Sequence, residues 1–153
     1  MLIDFQPLRE QEFEVKQITR DSLVTLVRKS HPCLGKQLSL HETLDLKHVV
    51  LRPRDEYGFY IEQFLREHAK ENNIVVRVAH LLAMLMVVAE SDLICTVPEH
   101  LARPMMKQFE LEVLDTSIPP RSFPILMMWH RNQSYDPGHR WLRARILKHC
   151  RHM

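Results

Sequence analysis

Between residues 48 and 98 the sequence switches repeatedly between two apolar rhythms, and this limits the fold more than any other feature. "HVVLR" (48–52) is a short, β-branched run of the kind that forms a buried strand. "DEYGFYIEQFLREHAKENN" (55–73) then sets Tyr57, Ile61, Phe64, Leu65 and His68 at helical spacing, opened by Asp55 and closed by Asn72-Asn73. "IVVRV" (74–78) is a second strand and residues 81–90 a wholly apolar helix. "DLICTVP" (92–98) is a third strand, and "PEHLAR" starts a short helix with proline in its first turn. Such alternation closes through right-handed crossovers, so the expected fold is α/β, with a mainly parallel sheet and helices on both faces.

The flanks add the remaining elements. "LID" (2–4) begins abruptly as a strand, and "DSLVTLVR" (21–28) is a strand that must end before Pro32. "SLHETLDLK" (39–47) is a short helix with Ser39 as its cap and Glu42 at the reciprocal capping-box position. "FELEVLD" (109–115) alternates apolar and acidic residues, as a strand with one wet face does. "FPILMMWHR" (123–131) is a long apolar strand. "DPGHRWLRARILKHC" (136–150) is an Asp-capped helix expected to bury Trp141, Leu142, the Arg145 stem, Ile146 and Leu147.

Several chemistries are excluded. Only Gly35, Gly58 and Gly138 are glycines, too few for a phosphate-cradling loop. No Gly-x-Ser-x-Gly elbow and no His-Glu-x-x-His helix occurs. His41 and His48, or His149 and His152, lack the further ligands that would complete a metal site, so no metal or cofactor is expected. Cys33, Cys95 and Cys150 are scattered, which suits reduced thiols in a cytoplasmic protein; Cys33 beside His31 has no visible activating partner. No acid–base pair or activated nucleophile emerges, so the chain is not expected to be an enzyme. The longest apolar run, "LLAMLMVVA", falls far short of the about 20 residues that span a bilayer, and no membrane role is expected. With a net charge of +2, the arginine-rich tail reads as a solvated helix face with a cationic end rather than a nucleic-acid surface.

Three stretches in order, "DSLVTLVRKSHP", "VVAESDLICTVPEHLAR" and "LMMWHRNQSYDPGHRWLRARI", resemble the effector-binding region of LysR-type transcriptional regulators, most of all their LeuO and NodD branch. The resemblance implies a periplasmic-binding-protein-like fold, two α/β subdomains joined by two crossover strands. These crossings would be Leu23 to Ser30 and Phe123 to Arg131. Subdomain I would comprise 1–31 and 123–153, incomplete here, and subdomain II would comprise 32–122. His31-Pro32 would turn the chain into the second lobe. The family's helix-turn-helix and first elements of subdomain I have no counterpart, so the chain resembles a C-terminal fragment or truncated gene product. Ile3, Phe5, Trp129, Trp141 and Ile146 would then lie on a surface that a longer protein covers.

In open α/β sheets, ligands bind where strands end at their carboxyl termini. This rule selects Arg52 and Arg54, able to hold a carboxylate before a helix, and Ala79, His80 and Leu81 at the start of the Met-rich helix. His80 reads equally as a satisfied core histidine. By resemblance, Asp4, Phe5 and Gln6 end a cleft-facing strand, and Met127 and Trp129 lie on the second crossing. The implied function is sensing of a small effector, a carboxylate or an aromatic, by a domain of a homodimeric or tetrameric regulator. DNA would be reached only through a helix-turn-helix absent from this chain. The alternative is a stand-alone cytosolic small-molecule-binding protein of the same fold.

Overall fold

Ser22 divides the chain. The computed structural model describes residues 1–5, 11–52, 67, 73–116 and 122–150. Two units result, Met1–Ser22 with Arg121–Met153, and Leu23–Pro120. In chain order the described elements are β1 (Leu2–Asp4), β2 (Phe13–Asp21), β3 (Leu23–Arg28), α1 (Leu40–Asp45), β4 (His48–Leu51) and β5 (Ile74–Val78). They continue with α2 (Leu81–Ala89), β6 (Cys95–Pro98), α3 (Glu99–Met106), β7 (Leu111–Val113), β8 (Phe123–His130) and α4 (Pro137–Cys150). The helix expected over 55–73 lies, apart from Glu67 and Asn73, outside the described residues.

The first unit carries an antiparallel sheet in the order β1-β8-β2. Ile3 lies opposite Met127 and Val15 opposite Met128, with a register step between Gln17 and Thr19. Strand β2 is not anticipated by the sequence reading. Its apolar residues Phe13, Val15 and Ile18 change parity at that step, so the period-two signal is lost.

The second unit is organised on β3, antiparallel to both β6 and β7. β4 and β5 run parallel, and a parallel bridge between His48 and Ile94 ties β4 to the segment entering β6. The arrangement is therefore mixed rather than mainly parallel. The crossovers give β4, β5 and β6 one direction, whereas β3 arrives straight from β2 through a single residue and takes the opposite one.

Alternation along β3 serves two cores. Leu26 packs with Val49, Met84, Leu85, Val88, Cys95, Val97, Ala102 and Leu111, beneath α2 and α3. Val27 faces the other way with Leu38, Ile94 and Leu114. Truncating one such side chain to alanine costs about 2–5 kcal/mol, a large part of a total stability of about 5–15 kcal/mol. Cys95 is fully buried, and desolvation pushes its thiol up to about 12, so it is chemically inert.

Neither expected crossing strand runs through both sheets. β3 has all its strand partners in the second unit and β8 all of its own in the first. The chain changes unit at Ser22, whose N–H is held by Asp21 Oδ1 at 2.8 Å. His31-Pro32 lies beyond that point and ends β3 instead. The buried His31 ring accepts the Cys33 N–H on Nδ1 at 3.1 Å, and its Nε2 lies 3.3 Å from the Asp92 carbonyl.

The capping box of α1 forms as read. Ser39 N–H and hydroxyl both donate to Glu42, at 2.9 and 2.6 Å, and hold its carboxyl below the usual range. Behind this helix His48 is 1% exposed, and its Nε2–H donates to the Thr43 carbonyl at 3.1 Å. Burial drives the ring down from 6.5 to about 4, so it is neutral in the fold. Unfolding exposes a histidine that takes up a proton below pH 6.5. His48 therefore contributes its full stability above that value and loses it as pH falls toward 4, by about 3 kcal/mol in all. Urea midpoints measured across pH 4–7 are expected to fall with acid in the native chain, and the fall is expected to be distinctly shallower in His48→Gln.

Candidate functional site

Strand directions fix where a site can form in the second unit. β4, β5 and the segment entering β6 run together, and β6 and β7 both oppose β3. The carboxyl ends of four strands thus meet at the end where β3 begins. A recess of about 330 Å³ opens there, lined by Leu23, Val24, Thr25, Thr96, Val113, Leu114, Asp115 and Thr116. Its floor carries a pair of buried hydroxyls. Thr25 and Thr96 are opposite one another in the register, and their Oγ1 atoms lie 3.0 Å apart. One hydroxyl donates to the other, which leaves the second proton for a third group.

The candidates read from strand ends gather at the same end without lining the recess. Arg52 is exposed, and its N–H donates to the Val78 carbonyl at 2.7 Å, which sets it beside Ala79. Ala79 and His80 are exposed, and His80 precedes α2 without capping it, so the core-histidine reading is set aside. Leu81 packs against the main core. Arg54 and Gln6 lie outside the described residues. The sequence reading missed Thr25 and Thr96. The available signal was a hydroxyl in the middle of each of two otherwise apolar strands, "LVTLVR" and "CTVP".

In the first unit the expectations need correction. Phe5 is half-buried and meets Phe123 edge-on at 5.9 Å. Met127 is fully buried, and Trp129 is 7% exposed, so neither presents a surface to a ligand within this unit. Trp129 lies under the Arg143 guanidinium, 4.5 Å from the ring centre, and its Nε1–H donates to Ser134 Oγ at 3.0 Å. Arg143 also donates to the Gln133 and Ser134 carbonyls, at 3.2 and 2.9 Å, and meets the His139 ring. Asp136 Oδ1 accepts the His139 N–H at 2.6 Å and opens α4. The Trp-His…Asp-x-Gly-His stretch is thus a fastening of α4 to the sheet. Ile3 (46%) is exposed as expected for a coverable surface, whereas Trp129 is not; Trp141 (61%) and Leu142 (41%), which the helix was expected to bury, are exposed.

Among the described residues no group of three or more histidine, cysteine or carboxylate side chains is placed to hold a metal. No described helix is long and apolar enough to cross a membrane.

The profile of the LysR substrate binding domain matches residues 1–151. The chain belongs to this family. The HTH-type transcriptional regulator LeuO of Escherichia coli K12 is 22% identical over 150 residues, which is 98% of this chain and 48% of LeuO. The chain therefore spans about half the length of that curated relative. The CcmR regulatory domain of Synechocystis PCC6803, solved in complex with 2-PG, superposes with a TM-score of 0.80 at 15% identity, over 99% of this chain and 73% of its own. The effector-binding domain of QuiR, solved with shikimate, gives 0.76 at 19% identity, over 97% of this chain and 70% of its own. These likenesses establish the α/β, periplasmic-binding-protein-like fold of a LysR regulatory domain.

Within this LysR domain Arg143 and Trp141 should respond differently to truncation. Arg143→Ala removes a cation over an indole and two charge-assisted hydrogen bonds, for an expected loss of about 2 kcal/mol. Trp141→Ala, at an exposed position, is expected to stay within about 0.5 kcal/mol of the parent. Chemical denaturation followed by circular dichroism checks both.

Proposed function

We propose that this LysR domain is a cytoplasmic effector-binding module that senses a small molecule at the recess between Thr25 and Thr96. It would report the ligand through the geometry of a homodimeric or tetrameric regulator. The observation that carries this reading is the meeting of four strand carboxyl ends at a recess floored by two buried, mutually bonded hydroxyls. Leu23, Val24, Val113 and Leu114 supply apolar walls, and Arg52 and His80 stand exposed at the same end. A small molecule with an apolar or hydroxylated body and a carboxylate suits that combination. Shikimate, the ligand named for the QuiR domain, is of this class. Operator recognition would belong to a helix-turn-helix outside these 153 residues. The relatives are transcriptional regulators, which favours a sensor over a catalyst and over a stand-alone carrier.

A thermal-shift screen of small carboxylates and aromatics tests this. A ligand at about 100 times its Kd contributes about 2.7 kcal/mol, which raises Tm by about 5 °C or more in a domain of this size. Thr25→Val and Thr96→Val are expected to abolish the shift, and Arg52→Ala to reduce it for carboxylates only. A ligand that shifts the parent and all three variants equally would remove the recess from consideration.

A further inference from the structure

We propose that the molecule sensed at the recess carries an ammonium group beside its carboxylate and that Asp115 selects it, an assignment that rests on the sensor reading above and narrows the ligand to the amino-acid class. Among the described residues lining the recess, Asp115 is the one charged side chain, and neither lysine nor arginine is present. Its carboxylate is exposed and has no hydrogen bond or ion pair with any described residue. Two arginines of the same unit are committed elsewhere, Arg28 to Asp92 and Arg103 to Glu99.

Backbone contacts hold Asp115 in place. The Leu114 N–H donates to the Thr25 carbonyl at 2.9 Å, and the Asp115 carbonyl accepts the Leu38 N–H at 3.0 Å. Leu38 also forms a parallel bridge with Thr116. The carboxylate thus hangs from a fixed Cα and has only its own side-chain torsions to order on meeting a ligand. The floor shares its preference. Thr25 and Thr96 are buried, and the one hydrogen bond between their hydroxyls leaves a single spare proton against several free lone pairs. Side-chain acceptors therefore outnumber donors around the recess. An ammonium, with three donors and no acceptor, matches such a lining. A ligand offering only a carboxylate would bring like charge to Asp115 with no described cation in the recess to offset it. An amino acid meets Asp115 with its ammonium and keeps its carboxylate for Arg52, while Leu23, Val24 and Val113 receive an apolar side chain.

The 153-residue chain should be titrated calorimetrically, up to about 10 mM, with leucine and two isosteres. Isocaproate lacks the ammonium, and α-hydroxyisocaproate replaces it by a neutral hydroxyl. Leucine is expected to bind at least about fivefold tighter than either, the advantage of a charge-assisted hydrogen bond at a partly exposed site. Asp115→Asn is expected to erase that preference with an unchanged thermal midpoint of the free chain, and Asp115→Glu to keep most of it. No heat from leucine over this range, equal binding of either isostere, or a preference that persists in Asp115→Asn would overturn the proposal. Isocaproate binding that is lost in Thr25→Val, with no gain from the ammonium, removes the role of Asp115 and leaves the sensor reading standing. Binding of all three compounds that survives both Thr25→Val and Thr96→Val removes the recess, and the role of Asp115 with it.

Discussion

Strand β3 is the constraint on which the second unit depends, because each of its layers is attached to that strand. Leu26 closes one core and Val27 the other, and both are fully buried. Its edges supply the partners for β6 and β7, so losing its register would release both. A one-residue slip would carry Leu26 to the Val27 side and expose each core to the wrong neighbours. The antiparallel direction of β3 is equally consequential. It places the start of this strand, rather than its end, beside the carboxyl ends of the parallel set.

That placement links the recess to the path of the chain. Thr25 lies three residues after Ser22, where the chain passes from the first unit to the second. Thr116, on the same recess, belongs to the segment through which it passes back. Both threonines therefore lie within a few positions of the bounds of that unit, Leu23 and Pro120.

Local chemistry made part of the fold legible. Ser39 and Glu42 announced their helix because a capping box is a contact between residues three apart. β4, β5 and β6 were visible as short β-branched runs between turn residues. What stayed hidden depends on partners distant in sequence. The bulge after Gln17 erased the alternation of β2, and the direction of β3 follows from its pairing with residues some seventy positions away. Thr25 and Thr96 are unremarkable alone, and only that pairing sets their hydroxyls together.

The contrast between Trp129 and Trp141 shows how one buried cation can set the roll of a helix. Positions 141 and 143 differ by about 200° around an α-helix, so one must face outward when the other faces in. Hydrophobicity alone would turn Trp141 inward. Arg143 wins because the sheet offers what a buried guanidinium requires: the face of Trp129 and the carbonyls of Gln133 and Ser134. An arginine left without these would carry a desolvation cost that no exposed indole could offset. Once Arg143 is seated, Ile146 and Leu147 follow it toward the sheet, while Trp141, Arg145 and Lys148 are forced onto the opposite side. The cationic, aromatic face of α4 is thus a consequence of how the helix is anchored.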